Sequence, residues 1–391
     1  MVCNNGMTVF ENILLFCMPA IYELATIGVL PNNVMYVPLI IMLIYEYIIK
    51  GKRPQITKKY LLFGALMALA YIFSSLLSFE LMVNDVMYVI LIFAMFFSLP
   101  VFGDIMSKNI LCATRLLYLG NAVVLYPLLC MNVSKISFAQ ILNSLAVDGM
   151  SRFGRNYFGF YHPNTAALMI VTQIVLSVIL VSKSRKLMEK IVVSIIILPM
   201  IICLLSAGSR TAVIAVFLLF FLLFIFKSLK FTPHFRFITY LVIVCAAVIV
   251  AINTDVVNML IYNSSGRFYS TQLIVKEMNN QGRLLFGIGV HQISSGSISR
   301  ILGGIFIVDN WYVYMFVSTG IIGFVSIVFG LVYYFRVIIK DTPVSQNRFL
   351  IRALIACLLV YGLAENVVFV PGVLYSIITW ILLEGLSLSD E

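Results

Sequence analysis

Charge is scarce in this 391-residue chain: Asp, Glu, Lys and Arg make up 11% of it, where soluble domains carry about a quarter. A chain so poor in charge and 62% hydrophobic has more apolar surface than a soluble core can absorb. That excludes an ordinary soluble domain and leaves a bilayer as the solvent. Cysteine is missing from the long polar stretches. Cys17, Cys112, Cys130, Cys203, Cys245 and Cys357 fall in hydrophobic runs, and Cys3 lies at the N-terminus. This argues against structural disulfides. No Cys/His spacing has the form of a metal site, so neither a metal nor another cofactor is expected. The N-terminus lacks a basic stretch ahead of its first apolar run, so no cleaved signal peptide is expected. There is no visible internal repeat of the inverted-repeat transporter kind. A net charge of +10 would suit nucleic acid. The basic residues, however, stand in short clusters between hydrophobic runs, where they orient helices, so no nucleic-acid partner is expected.

What is present is a series of apolar runs. A bilayer core needs about 20 apolar residues per helix. Spans are predicted near 7–27, 33–49, 60–78, 86–101, 110–131, 164–182, 190–206, 210–226, 237–253, 309–335, 350–368 and 371–386. The expected fold is therefore an all-α polytopic integral membrane protein, a single transmembrane domain over 1–391 with about twelve helices. Lys50, Lys52, Arg53, Lys58 and Lys59 follow the second span, which makes that side cytoplasmic. The clusters Lys183–Lys190, Lys227–Arg236 and Arg336–Arg352, with Lys108, then fall on the same side, and both termini are cytoplasmic. Arg115 lies in a span near its inner end, where it can snorkel.

The outer side differs in kind. Arg152, Arg155, Arg210, Arg267, Arg283 and Arg300 outnumber Lys135 and Lys276 there. Arg presents a planar fork that binds phosphate oxygens bidentately, so this bias suggests an anionic ligand at the outer interface; lipid headgroups or acidic neighbours are the simpler partners. Two connections on that side, 132–163 and 254–308, are too long to be plain turns. A short surface helix is predicted at Phe138–Ala146 and a partly amphipathic one at Arg267–Met278.

Several short patterns carry candidate chemistry. Arg152, Arg155, His162 and Asn164 lie among Gly and aromatic residues that run into a helix, with Pro163 suited to its first turn. Gly208-Ser209-Arg210 joins two spans: Gly208 permits the turn, Ser209 can cap the next helix, and Arg210 puts a cation where the helix dipole disfavours it. Gly287-Ile-Gly289 precedes His291, readable as a titrating base or a satisfied surface residue. Asp309-Asn310 opens a span, where an acid is a natural N-cap. Glu365-Asn366 sits near the outer end of another; an intramembrane carboxylate is functional by default, and pairing with an outer Arg is the structural alternative.

Taken in order, these segments resemble the O-antigen polymerase and O-antigen ligase superfamily of bacterial membrane glycosyltransferases. Gly208-Ser209-Arg210 resembles that family's turn between spans. Arg152 to Asn164 resembles its Arg-bearing stretch ending in an Asn. Arg267 with Gly287-Ile-Gly289 resembles its large outer loop. The ligases' His-Asn pair, nine residues and Gly-x-x-Gly are matched by Asp309-Asn310 and Gly320-Ile-Ile-Gly323, with Asp in place of His, a departure that fits the polymerase branch better. The likeness covers about 150–325. It implies a GT-C-like fold and an inverting, metal-independent transferase at the outer face of the bacterial inner membrane. The substrates would be repeat units on undecaprenyl pyrophosphate. Arg152, Arg155, Arg210, Arg267, His162 and Asn164 would hold the substrate pyrophosphate, and Asp309, His291 or Glu365 would act as base. Implied partners are lipid-linked oligosaccharides, membrane lipids, a flippase and a chain-length regulator. The ligase reaction, or a lipid-linked oligosaccharide flippase or other transporter, is the alternative.

Overall fold

The computed structural model describes residues 6–52, 57–77, 83–139, 141, 155–228, 267–291, 297–303, 308–343 and 346–389. Every regular element among them is helical: α1 (Val9–Thr26), α2 (Asn32–Ile49), α3 (Lys58–Leu77), α4 (Val83–Lys108), α5 (Ile110–Asn132), α6 (Pro163–Lys183), α7 (Leu187–Ala207), α8 (Arg210–Ser228), α9 (Arg267–Asn280), α10 (Ser297–Leu302), α11 (Trp311–Asp341), α12 (Gln346–Gly362) and α13 (Leu374–Leu388). Eight of these are long and apolar enough to cross a membrane, and Arg210–Ile225 and Leu374–Leu388 are shorter apolar helices. The predicted span at 237–253 and most of the predicted helix at 138–146 lie outside the described residues. The predicted amphipathic helix is α9, which buries Ile274 and Met278 one turn apart and leaves Leu273 exposed.

Two helices form the centre. α6 is buried along most of its length, and α13 buries nearly every residue from Leu374 to Leu386. α13 packs chiefly on α4 and also on α12 and α6; α11 pairs with α3, α1 with α5, and α8 with α12. An aromatic knot holds α3, α11 and α13 together. Phe63 stacks on Trp380 at 6.0 Å between centroids, and Tyr334 lies 5.2 Å from the same indole.

Two stretches of non-helical backbone interrupt the bundle. One is inside α11, where Gly320 has φ 66°, a conformation that glycine adopts without steric cost. The segment around Gly287 lies alongside this break. Ile288 N–H donates to Val317 O at 3.0 Å, Gly289 N–H to Ser318 O at 3.0 Å, and Ile321 N–H to Leu284 O at 2.9 Å. A Cβ on Gly287 would collide with the Ser318 carbonyl, and one on Gly320 with that of Leu285. Both glycines are thus required for the approach. From Ile321 to Asp341, α11 is about 31 Å long, enough by length to cross a bilayer core alone.

The other stretch is 363–373, between α12 and α13. Val367, Val368, Phe369 and Val370 are buried, and Phe369 reaches Trp380 at 5.0 Å. Irregular backbone survives at membrane depth only where protein satisfies it. Here Trp380 Nε1 donates to Val368 O at 2.5 Å, and Val370 N–H donates to Ser376 Oγ at 3.0 Å. The span expected at 350–368 therefore stops at Gly362, and Glu365 stands beyond the helix rather than within it.

The lysine-rich end is knitted by ion pairs. Lys50 bonds Glu11 at 2.7 Å and Glu46 at 2.6 Å, Lys52 bonds Glu46 and Asp104 at 2.7 Å each, and buried Lys59 bonds Glu384 at 2.8 Å. Burial alone would lower the pKa of Lys52, but its hydrogen bonds to Asp104 and Glu46 hold it above the ordinary lysine value. Arg115, expected to snorkel, is clamped instead by Glu189 through Nε at 2.6 Å and a terminal nitrogen at 2.5 Å. Cys112 also departs from expectation: it is disulfide-bonded.

Candidate functional site

At the opposite end, four elements converge through hydrogen bonds. The chain enters along 155–162. Asn156 N–H donates to Ser206 O at 3.0 Å, which fastens this stretch to the end of α7. Asn156 Oδ1 accepts from Phe158 N–H at 3.0 Å, an Asx turn. It holds buried Phe158 at φ 48°, a left-handed conformation that is costly for an aromatic residue. The chain then turns into α6. His162 is the N-cap, its Nδ1 accepting from Asn164 N–H at 3.2 Å. Pro163 opens the first turn as expected.

This path aims Arg155 at two partners. Its Nε donates to Ala207 O at 3.0 Å, and a terminal nitrogen donates to Asn164 Oδ1 at 2.5 Å. Asn164 Nδ2 in turn donates to Glu365 Oε1 at 2.6 Å. The guanidinium can only donate, so the amide oxygen must face it, which leaves the amide nitrogen for the carboxylate. A cation and an anion are thus joined through a neutral bridge.

Ala207 closes α7. Gly208 follows at φ 64°, a left-handed cap, and α8 begins at Arg210. Arg210 stands at the first helical position, within the turn whose Ala207 carbonyl receives Arg155. The expected side-chain cap is not made: the buried hydroxyl of Ser209 does not bond the helix's first amides.

Next to Glu365, Asn366 Nδ2 donates to Val308 O at 2.6 Å and draws the mouth of α11 to the same region. The acid there is not the cap. Asn310 caps α11, its Oδ1 accepting from Tyr312 N–H at 2.9 Å and Val313 N–H at 3.3 Å. Half-buried Asp309 sits one residue outside, so the helix-cap explanation for it does not hold.

His291 is placed elsewhere. It is fully buried, not a surface residue. Its Nδ1 lies 2.9 Å from Asp85 Oδ2 and its Nε2 3.1 Å from Ile288 O, while Tyr314 donates to its own carbonyl at 2.7 Å. The Ile288 carbonyl only accepts, so Nε2 is the donor to it. Arg267 begins α9, with its side chain outside the described residues, as is all of Arg152. The structure therefore joins Arg155, Asn164 and Glu365 directly and brings Arg210 and Asp309 to the same end through backbone. His162 acts as a cap, and His291 pairs with α4. Sequence reasoning missed Asp85 and the Ala207 carbonyl, and it named Asn366 beside Glu365 without giving it a role. Asp85, an acid at the start of an apolar run, was the one with a visible signal.

An arrangement of Arg on a helix-end carbonyl, an amide relay and two carboxylates can hold an anion and accept a proton nearby. Comparison with known proteins adds no name to this: no family model matches the chain, and a search of curated proteins finds no match.

Proposed function

We propose that this chain is a membrane glycosyltransferase that polymerises oligosaccharide repeat units carried on undecaprenyl pyrophosphate. It would act at the outer face of a bacterial inner membrane, making O-antigen, capsular or exopolysaccharide. In this reading the chain has twelve spans in a GT-C-like arrangement, with 132–163 and 254–308 outside. The observation that supports it most is the relay from Arg155 through Asn164 to Glu365, built on the turn that carries Arg210. An acceptor hydroxyl attacks the anomeric carbon of the donor. The new glycosidic C–O bond forms as the bond to pyrophosphate breaks, and configuration inverts. Undecaprenyl pyrophosphate leaves with the electron pair, and Arg155 and Arg210 stabilise the charge on its phosphates. The hydroxyl proton passes to a carboxylate, Asp309 first and Glu365 second.

One observation favours a second reading. Interrupted helices, such as α11 at Gly320, also occur in transporters, so a lipid-linked oligosaccharide flippase is the rival; ligase chemistry is the nearer variant. Glycan analysis of a deletion strain separates all three. Single repeat units on the lipid carrier at the outer face are expected for a polymerase. Full-length polymer left on the carrier would indicate a ligase, and repeat units trapped inside a flippase. Unaltered polymer would overturn the proposal. Single cysteines replacing Ser144 and Ser295 should react with impermeant thiol reagents in intact cells; protection of both would invert the topology.

A further inference from the structure

We propose that α3 and α4 hold one phospholipid with a primary-ammonium headgroup, of the phosphatidylethanolamine kind, at the lysine-rich end of the bundle. α3 packs mainly on α11 and α4 on α13, and between them the two helices leave a groove. Its apolar part has a volume of about 280 Å³ and is lined by Leu61, Ala65, Ala68, Phe93 and Phe97. The alanines leave the slot open and the phenylalanines wall it. Leu61 is 65% exposed and Phe97 45%, so the slot opens outward to the lipid side. A polar chamber of about 530 Å³ adjoins it, lined by Lys52, Thr57, Lys59 and Asp104. Tyr60 and Pro100 line both spaces, so the two are neighbours along the same pair of helices. An apolar slot beside a polar chamber has the shape and polarity of a membrane lipid.

Charge selects the headgroup. Lys59 is already matched by Glu384. Around the chamber Lys50, Lys52, Lys59 and Lys108 are balanced by Glu11, Glu46, Asp104 and Glu384. Each of these lysines is thus already paired, so an anionic headgroup would have to displace a carboxylate. The pair open to a ligand is Lys52 with Asp104, 2.7 Å apart with side chains 38% and 53% exposed. A zwitterionic headgroup can set its phosphate against Lys52 and its ammonium against Asp104 without changing the local charge. A primary ammonium also donates hydrogen bonds to the carboxylate, which a quaternary one cannot do.

The test uses the full chain purified in detergent, exchanged into mixed micelles holding equal phosphatidylethanolamine, phosphatidylglycerol and phosphatidylcholine, and weighed by native mass spectrometry. One retained phosphatidylethanolamine is expected, preferred at least about tenfold over each competitor. Ala65→Phe fills the slot from an exposed position and should abolish retention. Asp104→Asn should keep a bound lipid but lose the preference over phosphatidylcholine. Equal retention of all three lipids by the wild-type chain means ordinary surrounding lipid and overturns the proposal, as does undiminished retention by monodisperse Ala65→Phe. None of these readouts depends on the activity proposed above.

Discussion

At the lysine-rich end of the bundle, cation meets anion directly. Lys59 and Glu384 are buried against each other with Tyr60 and Tyr334 as further donors, and Lys50 and Lys52 bridge Glu11, Glu46 and Asp104. Glu11, Lys59, Asp104 and Glu384 project from helices, and Lys50 and Lys52 follow directly on the end of α2. At the other end the bridge from Arg155 to Glu365 runs through the amide of Asn164, and the groups stand on irregular backbone or in the first turns of helices. Direct pairing neutralises charge and ties helices together. Pairing through a neutral amide links cation and anion at one remove, with Asn164 bonded to both. The first arrangement suits stability and the second suits a ligand, and substitutions at the two ends should separate in kind.

The largest expected effect is at Asp309. Asn310 is the cap, so Asp309→Asn leaves the helix start intact while removing a proton acceptor. Polymerisation measured on a lipid-linked repeat should fall about a hundred- to ten-thousandfold, with protein level unchanged. Wild-type rate in this variant would move the base to Glu365. Next come Arg155→Ala and Arg210→Ala, expected to slow polymerisation by about a hundred- to a thousandfold. Lys at either position should rescue poorly for want of the planar fork; full rescue would reduce the role to simple charge.

At the lysine end the loss should appear as stability instead. Lys59→Met leaves Glu384 buried without its cation, a change that typically costs about 3–5 kcal/mol, and should lower the melting temperature in detergent. The double variant Lys59→Met, Glu384→Met should regain most of that. If the double variant melts like Lys59→Met alone, the pair is not the cause. The smallest effect is that of Asn310→Ala, which removes a helix cap worth about 1 kcal/mol. A modest drop in melting temperature with residual polymerisation is expected. Complete inactivation with unchanged melting would place Asn310 in the chemistry and blur the contrast with Asp309.

The membrane character of this chain was legible from composition and from the length of its apolar runs, because a bilayer imposes both on any sequence that crosses it. The Gly208 turn and the start of α6 at Pro163 were legible for a similar reason: each is a local rule of backbone. Which groups meet was not legible. Arg155 and Asn164 are near in sequence, but Glu365 joins them from about 200 residues away, and Asp85 reaches His291 across a comparable distance. The halt of α12 before Glu365 and the break at Gly320 also escaped the reading. Hydropathy averages over a window and does not register a single residue at positive φ or a loop whose polar backbone is satisfied by Trp380. Sequence determined the solvent and the helices. Tertiary packing decided which charges pair directly and which are linked through an amide, since that depends on contacts between segments distant along the chain.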